Sequence, residues 1–186
     1  MKDIFSENIR NLTELADNFA FQNRVESAIE VISTALNSGA PVLVFGNGGS
    51  AADALHISGE LVGKFNIERR GLNVICLNAN VTVMTAWSND VDYQSVFARQ
   101  VEAHFQPGGV AWGLSTSGNS PSVVKALEFA KKLGLSTIAM TGQNGGECVK
   151  HSDILLNVPS EVTPRIQELH LPVYHYMCME IEKNCS

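Results

Sequence analysis

His56 and Glu60 stand four residues apart, on one face of any helix that carries them. An imidazole beside a carboxylate can take a proton from one atom and deliver it to another. The same spacing also describes an ordinary solvated pair, and Leu55 and Leu61 make one flank of this segment apolar. Just before it lies Gly46-Asn47-Gly48-Gly49-Ser50, behind the apolar run Val42 to Phe45. A second stretch of like composition, Ser115-Thr116-Ser117-Gly118-Asn119-Ser120, follows Val110 to Leu114. Each reads as a buried strand that empties into a loop opening a helix. Such a loop offers free backbone N–H groups, small side chains and the positive end of a helix dipole, which together hold an anion. The hydroxyls of Ser115, Thr116, Ser117 and Ser120 are more than a tight turn needs. Two such loops at the strand ends of one parallel sheet point to a small phosphorylated ligand. At 1.5 Å per residue, His56 and Glu60 lie roughly 9 to 15 Å beyond the first loop.

Rival motifs fail on particular residues. Gly46, Gly48 and Ala51 fit the G-x-G-x-x-A form of a dinucleotide fingerprint. That motif needs an acidic residue at the end of the next strand, and Asn73 to Leu77 runs into Asn78 instead. No Gly-Lys-Ser or Gly-Lys-Thr follows the first loop, so a Walker site is excluded and no nucleotide cofactor is expected. Thr141 to Gly146 reads as a structural turn. His175 sits among Leu171, Val173, Met177 and Cys178, where a lone histidine also suits a core position. Gln167 lies eight residues before it, roughly 12 Å along a straight helix. Pro172 lies between them and is expected to bend that helix.

The elements that must position these groups follow from periodicity. Ile9, Leu12, Leu15, Ala16 and Phe19 keep helical spacing, as do Val25, Ala28, Ile29, Ile32, Ala35 and Leu36. The chain therefore opens with a helical hairpin over 1–39. Its apolar stripes need a sheet or a neighbouring subunit to cover them. An α/β core over 40–186 follows in the same single domain. Strands are predicted at Val42–Phe45, Val74–Leu77, Val110–Leu114, Thr137–Met140 and Ile154–Val158, with helices between them. Helical stretches are predicted around Val81–Trp87 and Tyr93–Ala103, and a closing helix from about Pro164 to Glu182, capped by Thr163. This alternation implies a five-stranded parallel sheet flanked by helices. A formal net charge of −6 argues against a nucleic-acid surface. No apolar run is long enough to span a membrane, and no signal peptide is seen. Cys76, Cys148, Cys178 and Cys185 lack metal-knuckle or redox spacing and read as reduced thiols of a cytoplasmic protein.

Taken together, the Gly46–Ser50 loop, Asp53 to Glu60, Asn89-Asp90, Ser115–Ser120, and Arg165-Ile166-Gln167-Glu168 with His170 and His175 resemble the sugar isomerase (SIS) family. Within it, the chain resembles the phosphoheptose isomerases over nearly its whole length. The resemblance implies conversion of sedoheptulose 7-phosphate to D-glycero-D-manno-heptose 7-phosphate, the opening step of ADP- or GDP-heptose formation, by a homotetramer with active sites at subunit interfaces. It implies Glu60 and His175 as the acid/base pair. It places Asn47, Gly48, Gly49, Asn89, Asp90, Glu60 and Gln167 on the sugar, and Ser50, Ser115, Thr116, Ser117 and Ser120 on the phosphate. It also implies a zinc ion, one per subunit and labile, held by His56, Glu60, Gln167 and His175. Pro164 stands where some members carry an aspartate, so no acidic contact is expected there. Other SIS modules are not enzymes but phosphosugar sensors or adaptors for a replication initiator. Adaptors of that kind lose the matches to Glu60 and His175 and can carry Arg in place of Ser117. This chain keeps all three residues.

Overall fold

In the computed structural model, which describes residues 1–186, the chain begins with α1 (Lys2–Asp17) and α2 (Phe19–Asn37). Only Asn18 separates them, and its side-chain oxygen accepts the Phe21 N–H at 3.0 Å, capping α2. α2 buries Phe21, Val25, Ala28, Ile29, Ile32 and Leu36 in the core. α1 buries Asn11 and Leu15, while Ile4, Phe5, Ile9 and Leu12 face outward. The two halves of the hairpin thus have different fates: α2 covers the sheet, and the stripe of α1 stays uncovered in the single chain.

Five strands follow: β1 (Val42–Gly46), β2 (Val74–Cys76), β3 (Val110–Ser115), β4 (Ser136–Thr141) and β5 (Ile154–Asn157). They form one parallel sheet in the order β2-β1-β3-β4-β5. β1 and β3 are buried along their whole length, as expected of central strands covered on both faces. Alternate side chains divide the core. Val42, Val44, Trp112, Leu114, Ile138 and Met140 pack with α2, α3 (Gly49–Val62) and α8 (Thr163–Asn184). Leu43, Phe45, Ala111 and Ala139 pack on the other face, with α5 (Val96–Ala103) and α6 (Pro121–Lys132). α4 (Val81–Asp90) joins that second face through Met84 and Trp87, and the short α7 (Cys148–His151) through Cys148. The strand order reverses between β1 and β3, so a crevice opens at their carboxyl ends.

Three local expectations need correction. The stretch from Tyr93 is not one helix: a 3-10 turn, Tyr93–Ser95, leads into α5, because the Asp92 carboxylate accepts the Ser95 N–H at 2.7 Å and stops the α ladder there. Thr163 does not cap α8 but is its first residue; Val162 holds the cap position, and its carbonyl accepts the Ile166 N–H at 3.0 Å. β2 and β5 each end one residue early, at Cys76 and Asn157 rather than Leu77 and Val158. Pro172 lies inside α8, which runs through it unbroken.

Candidate active site

Both Gly- and Ser-rich loops lie where the crevice opens. Gly48 occupies the N-cap of α3 at φ 57, a left-handed conformation that favours glycine, and no side chain caps the helix. The first turn of α3 therefore keeps its N–H groups free of side-chain partners. The second loop also ends in an uncapped helix start, with Ser120 at the N-cap and Pro121 at the first position of α6. Its hydroxyls are tied within the loop: Ser115 Oγ donates to Ser120 Oγ at 3.1 Å, and Ser117 Oγ accepts the Asn119 backbone N–H at 3.1 Å. A Cβ at Gly118 would collide with the backbone of Gly145, so the third turn buttresses the second loop from behind. The Glu147 N–H reinforces this contact by donating to Asn119 Oδ1 at 2.9 Å. The third turn is thus the structural support that its composition suggested.

α3 and α8 pack in parallel, and this pairing assembles the rest. Gln167 on the first turns of α8 lies against Gly49 so closely that a Cβ there would overlap its amide. Further along both helices, the Tyr174 hydroxyl lies 2.9 Å from His56 Nδ1 and 3.4 Å from Asp53 Oδ1. One residue on, His175 Nε2 lies 3.5 Å from His56 Nε2, the two rings meeting edge to face. Glu60 Oε1 lies 3.1 Å from the same His56 nitrogen. One atom of each of His56, Glu60 and His175 falls within 4.8 Å of the others. Three electron-pair donors facing one another at this range repel unless a proton or a cation sits between them. Two imidazoles and a carboxylate are a donor set that suits zinc. The structure thus brings His175, which also suited a core position, to the His56–Glu60 pair.

The electrostatics follow from burial. Burial first, and then the neighbouring His56, push the His175 pKa below the ordinary histidine value, against the opposing pull of Glu60. Burial pushes Asp53 up, offset by the Tyr174 hydroxyl and His56, and its Oδ2 has no partner. Burial also drives Tyr174 further up than Asp53 does, so its hydroxyl keeps its proton. Asp53 and Tyr174 join the cluster with no motif in the sequence to mark them. Their only signal was position: Asp53 is one turn before His56, and Tyr174 precedes His175.

Other expected residues are placed differently. Ser50 is buried in the first turn of α3. Asn89 and Asp90 lie exposed at the end of α4, where the Asn89 side chain donates to Asp90 at 2.8 Å. The Asn47 amide is engaged at both ends by protein: its Oδ1 accepts the Tyr93 O–H at 2.6 Å, and its Nδ2 donates to Ser122 Oγ at 3.0 Å. His170 is fully buried away from the cluster, with Nε2 3.2 Å from the Thr141 carbonyl.

Comparison with known proteins gives the same picture. The SIS domain family matches residues 5–142. A phosphoheptose isomerase of Crocosphaera subtropica is 48% identical over 172 residues, covering 92% of this chain and 88% of the relative. The solved phosphoheptose isomerase of Neisseria gonorrhoeae superposes with a TM-score of 0.90 at 36% identity, over 98% of this chain and 96% of that one. That of Francisella tularensis gives 0.93 at 32% identity over the same shares.

Proposed function

The chain belongs to the phosphoheptose isomerases of the SIS family, and we propose that it interconverts sedoheptulose 7-phosphate and D-glycero-D-manno-heptose 7-phosphate with the residues assembled between α3 and α8. The observation that carries this reading is the convergence of His175 from α8 on His56 and Glu60 of α3, the helix that starts at the first Gly-rich loop. The phosphate sits on Ser50, Ser115, Thr116, Ser117 and Ser120, at the positive ends of the α3 and α6 dipoles. The sugar lies along α3, touching Gly48, Gly49, Gln167 and the Asn89–Asp90 turn, with Asn47 contributing through its backbone.

Glu60 removes the proton from C1 of the ketose, and the electron pair becomes the C1–C2 double bond of an enediol. The protonated Glu60 carboxyl, open to exchange with solvent, then delivers a proton to C2 as the carbonyl forms at C1. His175, held mostly neutral by burial and by His56, carries the hydroxyl proton from O1 to O2. His56, Glu60 and His175, with Gln167, would hold a zinc ion, which when bound would polarise the substrate carbonyl as a Lewis acid. Glu60 cannot ligate and act as base at one instant, so either the ion, one per subunit, is labile and leaves Glu60 free, or another group supplies the base. The exposed stripe of Ile4, Phe5, Ile9 and Leu12 supports self-assembly, which we read as a homotetramer. A light-scattering mass equal to the 20.1 kDa chain, for an active sample, would remove that assembly.

The deciding experiment supplies ketose phosphates of five to seven carbons and follows aldose formation. Turnover is expected with sedoheptulose 7-phosphate first. No turnover of any of them, with zinc present, would sink the isomerase reading in favour of a phosphosugar-binding module.

A further inference from the structure

We propose that Tyr93 is a positioning residue that, through the side chain of Asn47, locks the two anion loops into one register. This rests on the reading of those loops as the phosphate seat. Asn47 belongs to the first loop, and Ser122 to the first turn of α6 just behind the second. The Asn47 amide spans the gap, donating to Ser122 Oγ at 3.0 Å. An Asn amide can rotate and exchange its oxygen and nitrogen, so that single bond does not fix it. A second bond does: the Tyr93 hydroxyl donates to Asn47 Oδ1 at 2.6 Å, so the amide is held at both ends. With both ends held, the amide bridges Tyr93 and Ser122 and cannot swing away from the second loop.

Tyr93 is itself braced. Asp92 accepts both the N–H and the hydroxyl of Ser95, at 2.7 and 2.9 Å, and Ser95 Oγ accepts the Trp87 indole N–H at 2.8 Å. Its ring leans edge-on against Phe97, which stacks on Phe45 in β1, the strand that feeds the first loop. Burial raises the Tyr93 pKa, which keeps the donor proton in place. A phosphate gripped by two loops on different strands needs both at a fixed separation before it arrives, since ordering them on binding would weaken affinity. The strap supplies that order without touching the reacting carbons, so it affects binding common to ground and transition states.

The test is a double-mutant cycle with Tyr93→Phe and Ser122→Ala, reading KM and kcat for sedoheptulose 7-phosphate and the affinity for inorganic phosphate by calorimetry. Each single variant is expected to weaken phosphate binding and raise KM together, by about 3- to 10-fold, the scale of one hydrogen bond. The kcat should stay within about twofold, and the melting temperature within a few degrees. Because both act through one amide, the double variant should be no weaker than about the worse single one. The proposal is overturned if the two effects multiply, if phosphate affinity is unchanged in both singles, or if only the melting temperature moves. Should the wild type turn over no sugar, the proposed function fails, while the phosphate titration still decides the strap.

Discussion

The carboxylate of Glu182 and the guanidinium of Arg69 lie 3.3 Å apart with both side chains sealed from solvent. Glu182 also accepts three consecutive backbone N–H groups, from Phe65, Asn66 and Ile67, at 2.8, 2.6 and 2.9 Å. Arg69 in turn donates to the carbonyls of Glu60 and Gly63, closing the end of α3. A residue near the end of α8 thus fixes both the last turn of the helix that carries Glu60 and the loop that rests Phe65 on the His175 ring. Burial favours the neutral acid, but the N–H donors and Arg69 outweigh it and hold the Glu182 pKa below the ordinary carboxylate range.

Replacing Glu182 by Gln should therefore be costly although the shape is kept. The new NH2 would face backbone N–H groups or a buried guanidinium, leaving donors unpaired. We expect a loss of about 3 to 5 kcal/mol in denaturant unfolding at pH 7, the scale for breaking a buried pair from one side. A change under about 1 kcal/mol would mean that water reaches this network.

His170 predicts how stability depends on pH. It is fully buried, and burial pushes its pKa down to about 4, with the Thr141 carbonyl pulling weakly the other way. The unfolded chain protonates near the ordinary value of about 6.5. Between these values the unfolded state binds more protons, so stability is full above pH 6.5 and is lost as pH falls toward 4. The lowered carboxylate of Glu182 costs stability only at lower pH, below about 4.5, where its unfolded form begins to protonate. Urea midpoints measured from pH 7 to 5 should fall more steeply for the wild type than for His170→Gln. Parallel curves would show that His170 takes up its proton in the folded state.

Which of these features could be read from the chain alone has a physical basis. β1 and β3 announce themselves because central parallel strands are apolar on both faces and end in glycine or serine. His56 and Glu60 show their common face through a spacing that no tertiary contact can change. The approach of His175 follows from the family resemblance and not from its own surroundings, since it needs α8 to lie parallel to α3 and a core histidine has the same neighbours in sequence. Asp53 and Tyr174 were hidden for the same reason. Glu182 looked like any charge at a helix end, because its partners are backbone N–H groups of a loop more than a hundred residues earlier. Thr163 misled by composition: its type suits a cap, but Val162 takes the position.

The phosphate seat is tested at Ser115 and Ser120. Ser115 Oγ donates to Ser120 Oγ at 3.1 Å, which leaves the Ser120 hydroxyl proton for an incoming anion. Alanine at either position should raise KM several-fold, with kcat nearly unchanged, because phosphate contacts are shared by substrate and transition state. If both alanine variants keep wild-type KM and kcat, the phosphate is held elsewhere.

The proton-transfer roles are tested by Glu60→Gln and His175→Gln. Each preserves size and hydrogen bonding well enough that the melting temperature should move by only a few degrees, since Glu60 is a quarter exposed and neither side chain lies in the core clusters. Each should lower kcat by about 10² or more, the usual scale for a general acid or base. Substrate binding should persist in both. In deuterated water the wild type should exchange the C1 proton of sedoheptulose 7-phosphate, and Glu60→Gln should not, because it has no carboxylate to receive that proton. Chelation followed by zinc restoration should separate the metal from the base: zinc binding, read by equilibrium dialysis, should weaken in His56→Gln and His175→Gln. Turnover and exchange at wild-type rates in Glu60→Gln would contradict the mechanism, whatever the metal content of the sample.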